Sequence, residues 1–315
     1  MHFSLKQLQH LVLLAETQEG YENLVKLVST AHLEGVYYKP RIDKALLRKY
    51  SKGLIGLSAC LRGEVNEACM NGDLDKAMEV LRLKGLKGVT KREGRTTSNG
   101  LIVARVNGGT GWLVELACET DFVAKAAVFI ALADKVADAI VAGGAKSLEA
   151  ALTADLGGKS VVDAINDEAA IMGEKVELRK VTVVSDDNID AYLHRTSKDL
   201  PPQVGVLLAF KGSDVETAHD VAVHIAAFSP TYLTSADVPQ DIVDTERRIA
   251  TETARNEGKP EAALEKIVEG RVKGFFKENC LLEQDFAKDN KLSVAKVLEQ
   301  HGLTVSAFAR FRVGA

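Results

Sequence analysis

From residue 100 onward, short unbroken apolar runs alternate with stretches in which apolar residues recur every three or four positions. The runs "LIVARV" and "WLVELAC" read as two strands, and the Gly-rich "NGGTG" between them predicts a hairpin turning near Gly108 and Gly109. A helical spacing follows: Phe122, Ala126, Phe129, Ala133, Val136 and Ile140 fall on one stripe, which stops at Gly143 and Gly144. Strands are predicted again at "KVELRKVTVV", "AYLHR" and "VGVLLAF", before a second apolar helix, "DVETAHDVAVHIAAF", that ends near Pro230. Strands followed by a long apolar helix thus occur twice. This predicts an α+β fold with duplicated antiparallel strands-plus-helix core layers. The last third is helical, with helices starting after Pro239 and at Pro260 and a third at "SVAKVLEQHG", and "AFARFRV" adds a closing strand.

The leading segment has a different pattern. "HLVLLA" reads as a short buried strand, "GYENLVKLVSTAH" and "KALLRKY" as helices, and "GLIGLSA" as another strand. Two strands of parallel type with their helices cannot cover both faces of a sheet, so this is an incomplete α/β fragment, expected to be poorly packed. A helix capped by Asn71 or Asp73 follows, with Leu74, Ala77, Met78 and Leu81 at helical spacing. After it, "KGLKGVTKREGRTTSNG" has the composition of a basic linker. The resulting division is a fragment over 1–65, a helix and linker over 66–99, a first core layer over 100–170 and a second layer with the helical region over 171–315.

Composition narrows the chemistry. The 315 residues are 46% hydrophobic and 27% charged, with a net charge of -4, which suits a globular protein and argues against a dedicated nucleic-acid binder. The cysteines, Cys60, Cys69, Cys118 and Cys280, show neither paired nor zinc-ligand spacing and read as reduced thiols of a cytoplasmic protein. The apolar "LVLLA" near the start is too short for a signal-peptide core or a membrane span. No phosphate-binding loop, dinucleotide fingerprint, HExxH or GxSxG motif occurs, and no catalytic carboxylate pair stands out. His219 and His224 lie five residues apart on one helix, a spacing that suits one surface and one packed histidine rather than a metal pair. The residues therefore call for no enzyme activity, metal or cofactor. From periodicity alone, "CETDFVAK" at 118–125 is a helix start: Thr120 as cap, Asp121 at the positive end of the helix dipole and Phe122 on the core stripe.

That same stretch, however, resembles the signature of the elongation factor Ts family, bacterial nucleotide-exchange factors for elongation factor Tu. "NGDLDKAMEVLRLKGLKGVTKREGR", "PPQVGVLLAFKG", "HIAAFSPTYLTSADVP", "NEGKPEAALEKIVEGRVKGFFKENCLLEQ" and "FARFRVGA" are similar to that family in the same order, from about residue 71 to the end. The resemblance implies a binding protein without catalytic residues. Thr120, Asp121, Phe122 and Val123 would contact elongation factor Tu, in its GDP-bound and nucleotide-free forms, with Phe122 wedged between helices beside the nucleotide site. His194 and His224 enter as weaker contact candidates with a neighbouring domain of that partner. No nucleic acid, membrane or cofactor is implied, and the C-terminal core leaves room for a homodimer.

The family's small ubiquitin-associated-like N-terminal domain is reduced here to its last helix. In its place, "HLVLLAETQEGYENLVKLVSTAHLEGVYYKPRIDKALLRKYSKGLIGLSACLRGEV" resembles an internal part of the polymerase-and-histidinol-phosphatase (PHP) domain of the bacterial DNA polymerase III alpha subunit. The join would lie around residues 62–76, making the chain a chimera. Two alternatives to an exchange factor follow: a hybrid without function, and a PHP-type metal-dependent hydrolase. The second lacks ligands, because residues 1–70 offer His2, His10 and His32 without clustered acidic partners.

Overall fold

The computed structural model describes residues 11–36, 40–57, 69, 71–73, 76 and 94–315. The chain divides into two compact units, Met1–Lys87 and Gly88–Ala315. The helix expected from Asn71 lies largely outside the described residues, although the Asp73 carboxylate accepts from the Lys76 amide at 3.1 Å, as a capping residue does. Most of the basic linker and Cys60 also lie outside them.

In the first unit, strands β1 (Val12–Ala15) and β2 (Leu54–Leu57) pair through Val12 with Leu57 and Ala15 with Leu54. The pairing is antiparallel, which corrects the expectation of parallel-type strands. β1 is also not the buried strand predicted, since Val12 and Leu14 are 42% and 48% exposed. Helix α1 (Gln18–Leu33), capped by Thr17, and the short α2 (Lys44–Lys49), capped by Asp43, complete the described part. Of the apolar residues of α1, Leu27 and Ala31 are buried, whereas Val25, Val28 and Leu33 face water.

The second unit begins with a three-stranded sheet of order β3-β4-β5, formed by Asn99–Asn107, Thr110–Cys118 and Val176–Ser185. All its pairings are antiparallel. The β3–β4 hairpin turns at Gly108, whose φ of 58° lies where a Cβ is disfavoured, as the Gly-rich stretch predicted. β5 completes the first sheet, so the first layer extends to Ser185 rather than ending near residue 170.

β4 is covered on both faces, which is why "WLVELAC" is a continuous apolar run. On one face Val114 and Leu116, with Leu101 and Val103 of β3, pack on Phe129, Val136 and Ile140 of helix α4 (Ala127–Ala142). Helices α5 (Leu148–Thr153) and α6 (Val161–Met172), capped by Ser147 and Ser160, extend this layer. On the other face Ile102 and Leu113 meet Leu207 and Ala209 of a second sheet. Gly111 and Gly205 let the two sheets approach: a Cβ at Gly205 would lie 2.5 Å from the Ile102 side chain.

The second sheet has order β8-β7-β6, formed by Thr304–Arg312, Val204–Lys211 and Asn188–His194, and is again antiparallel. Val206, Leu208 and Phe210 pack on Ala218, Val221 and Ile225 of helix α7 (Val215–Phe228), which Asp214 caps. The architecture is thus the expected α+β pair of strands-plus-helix layers, back to back. The helical region is an antiparallel pair, α8 (Gln240–Asn256) and α9 (Glu261–Asn279), burying Val243, Ala250, Val268 and Val272, followed by α10 (Val294–Gln300).

One buried charge sits between the sheets. A bulge in β5 opposite Glu115 and Leu116 brings both Arg179 and Lys180 toward the fully buried Glu115 carboxylate, at 3.5 and 3.7 Å. The Gly314 amide donates to the same carboxylate at 3.3 Å, tying the C-terminal segment to β4.

Candidate functional site: the Thr120 turn

Where β4 ends, Thr120 caps a four-residue helix, α3 (Asp121–Ala124), separated from α4 by Lys125 and Ala126. Ala126 has ψ 134°, outside the helical region, so the helix stops and starts again. That break corrects the single stripe expected from spacing. Phe129, Ala133, Val136 and Ile140 are all fully buried, but Phe122 is 73% exposed, because the change of direction at Ala126 removes it from their phase.

Within α3 the four side chains divide. Ala124 is buried and Val123 half-buried against the first core, while Phe122 faces water and the half-buried Asp121 keeps about half of its side chain exposed. The Lys125 ammonium lies 4.4 Å from the centre of the Phe122 ring and 3.4 Å from the Asp121 carboxylate. One cation therefore touches both exposed groups. At this exposure each of those contacts is worth at most about 1 kcal/mol.

The base of the turn is held more firmly. The Thr120 hydroxyl accepts from the Val123 amide at 3.4 Å and donates to Glu174 Oε1 at 2.6 Å, while the Thr120 amide donates to Glu174 Oε2 at 3.0 Å. Next to it, Glu119 Oε1 accepts from the Lys175 amide at 2.6 Å and pairs with Arg95. Burial, with Glu174 nearby, pushes the Cys118 thiol up to about 12, so it stays protonated and donates to the Thr120 carbonyl at 3.2 Å. Glu174 lies 54 residues from Thr120, and nothing local in the sequence singles it out.

The two histidines occupy different surroundings from this turn and from each other. His194 is exposed at the end of β6, its Nδ1 3.0 Å from the Tyr192 hydroxyl. On the same strand face, Asp190 lies 3.1 Å from Nδ1 of His219, whose ring meets Tyr192 edge-on. His224 is fully buried. Its Nδ1 accepts from the Ala287 amide at 3.2 Å, which leaves the proton on Nε2, donated to Gln284 Oε1 at 2.8 Å. Burial lowers its pKa, with the Gln284 bond opposing. Its ring cannot reach another molecule from there, and Phe228, stacked on it at 4.6 Å and 55% exposed, is the aromatic surface at that point.

Among the described residues no group of three or more His, Cys, Asp or Glu could hold a metal ion, and no helix is long and apolar enough to cross a membrane.

The geometry describes a surface for binding: an exposed aromatic ring and carboxylate on a turn tied down from behind. Comparison with known proteins gives that surface its class. The elongation factor Ts family model matches residues 119–315, and the PHP domain model matches residues 2–84. Elongation factor Ts of Leifsonia xyli is 54% identical over 273 residues, covering 86% of this chain and 97% of the relative. That of Pseudarthrobacter chlorophenolicus is 54% identical over 274 residues, covering 86% and 96%. That of Clavibacter michiganensis is 58% identical over 245 residues, covering 78% and 89%. The 86% share is more than residues 71–315 supply, so the similarity begins upstream of Asn71, earlier than the quoted motifs indicate. These matches support the function of a guanine-nucleotide exchange factor for elongation factor Tu. The chain belongs to the elongation factor Ts family and carries a PHP-like segment at its N-terminal end.

Proposed function

We propose that the Thr120 turn is the surface through which this cytoplasmic protein engages elongation factor Tu, with Asp121 and Phe122 in direct contact and Thr120 and Val123 fixing their presentation. The observation that carries this reading is the 73% exposure of Phe122 on a turn whose base is fully hydrogen-bonded. An isolated solvent-facing phenyl ring adds little to folding, whereas aromatic anchors dominate interface energies. Exchange then needs no bond making. A ring that fits the nucleotide-free partner better than the GDP-bound one must weaken GDP by the same factor, since the two couplings are reciprocal.

His194 is the second-layer contact in this proposal, meeting a neighbouring domain of the same partner, and its exposure beside Tyr192 supports that reading. His224 contributes from beneath, by holding Phe228 at the surface. A homodimer through the C-terminal core belongs to the same proposal. The leading PHP-like segment takes no part in the exchange reaction, and residues 71–315 carry it.

The test is release of a fluorescent GDP analogue from bacterial elongation factor Tu, with the full chain, a variant starting at Asn71, and Phe122→Ala. Acceleration by the first two and a fall of about tenfold or more with Phe122→Ala, its stability changing by less than about 0.5 kcal/mol, is the expected result. A folded full chain that leaves the release rate unchanged would identify a hybrid without this activity.

A further inference from the structure

We infer that Glu174 is a positioning residue for exchange: its carboxylate clamps Thr120 and so fixes the direction in which Phe122 points. The inference rests on the reading that Phe122 is the contact. Four observations carry it. Both carboxylate oxygens are used on one residue, Oε2 by the Thr120 amide at 3.0 Å and Oε1 by its hydroxyl at 2.6 Å. Charge-assisted bonds of this kind are shorter and roughly twice as strong as neutral ones.

The same hydroxyl accepts from the Val123 amide, and the Thr120 carbonyl accepts from the Ala124 amide at 3.1 Å, so α3 hangs on the residue that Glu174 holds. A four-residue helix has no stability of its own. The adjacent Glu119 carboxylate bonds back to the Lys175 amide at 2.6 Å, so residues 119–120 and 174–175 are joined from both sides. Finally, Glu174 lines a cavity of about 230 Å³ beside α6 and β5 and is not packed in the core, so shortening it removes the clamp without emptying a filled site.

The consequence is a division of labour. Phe122 binds, Thr120 starts the helix, and Glu174, 54 residues away, sets the angle between that helix and the sheet. A displacement of the order of 1 Å at a contact group is enough to cost up to about a hundredfold in rate.

The experiment compares the full chain with Glu174→Ala, Glu174→Gln, Phe122→Ala and the Phe122→Ala/Glu174→Ala double variant. It measures GDP-analogue release from elongation factor Tu, melting, and amide hydrogen exchange at Val123 and Ala124, neither of which bonds Glu174. Glu174→Ala is expected to slow release by about tenfold, to raise amide exchange at both positions and to lower the melting midpoint by no more than about 10 °C, leaving the unit folded at the assay temperature. Glu174→Gln, with one acceptor oxygen left, falls between. Because Glu174 acts through the ring, the double variant should be no slower than Phe122→Ala alone.

Additive losses in the double variant, or Val123 and Ala124 amides as protected in Glu174→Ala as in the parent, would overturn the inference. If the parent chain itself fails to accelerate release, it is the exchange reading that falls, and the amide protection still decides whether Glu174 fixes the turn. Should Glu174→Ala lose its melting transition, Glu174→Gln is judged by the same criteria.

Discussion

Two helices of sixteen residues, α1 in the leading unit and α4 in the core unit, show how differently similar patterns can be used. Helix α1 faces a two-stranded sheet and removes the side chains of Leu27 and Ala31 from water, leaving Val25, Val28 and Leu33 exposed. Helix α4 faces a three-stranded sheet and buries Phe129, Leu132, Ala133, Val136, Ala137 and Ile140. Each buried aliphatic or aromatic side chain is worth roughly 1.5–3 kcal/mol, so the difference between the helices is of the order of the whole stability of a small domain. An amphipathic stripe is therefore only a capacity for burial. Its worth is set by how much sheet the rest of the chain supplies.

Amide hydrogen exchange is where this contrast should be largest. Amides in the middle of α4, around Val136, are expected to exchange at least about a hundredfold more slowly than those of α1 around Leu27, because local opening of a sparsely packed element costs far less than opening a core. Equal protection in the two helices would break the comparison and show that the PHP-like segment has a native core. The next effect is on stability. Phe129 is fully buried, and Phe129→Ala should cost about 3–5 kcal/mol in urea unfolding of the core unit. Phe122, seven residues earlier, should cost almost nothing by the same measurement.

Much of the core could be read from its residues, for reasons visible at particular positions. The β3–β4 hairpin is announced by two apolar runs around Gly108, and both layers by an apolar helix behind them. His219 and His224, read as one surface and one packed histidine, occupy those positions, with His219 on Asp190 and His224 fully buried. What spacing could not show depended on distant partners. Ala126 is a good helix former, and nothing at that position marks the break that turns Phe122 outward. The antiparallel pairing of β1 with β2 links residues some forty apart. β5 reads as a strand but not as the third strand of the first sheet. At the turn itself, Thr120, Asp121 and Phe122 stand in one quoted stretch, whereas Glu174 enters only when the fold brings it there.

The smallest expected effect concerns how each unit buries a polar side chain. In the leading unit Asn23 is buried and donates to the Lys52 carbonyl at 3.0 Å, a neutral bond that does not titrate between pH 5 and 8. In the core unit the corresponding bridge is His224, which joins α7 to Gln284 and Ala287 and whose pKa is lowered below its ordinary value of 6.5 by burial. The unfolded chain therefore binds a proton at His224 more readily than the folded one, and stability falls as pH drops through about 6.5 toward the lower folded value. Protonation at Nδ1 would also take away the acceptor of the Ala287 amide. Chemical denaturation between pH 7.5 and 5 should show the parent losing stability on acidification with a steeper slope than His224→Gln, whatever the variant's absolute stability. Equal slopes would mean that the buried ring titrates no differently from an exposed one, and that the core tolerates its polar bridge as indifferently as the leading unit tolerates Asn23.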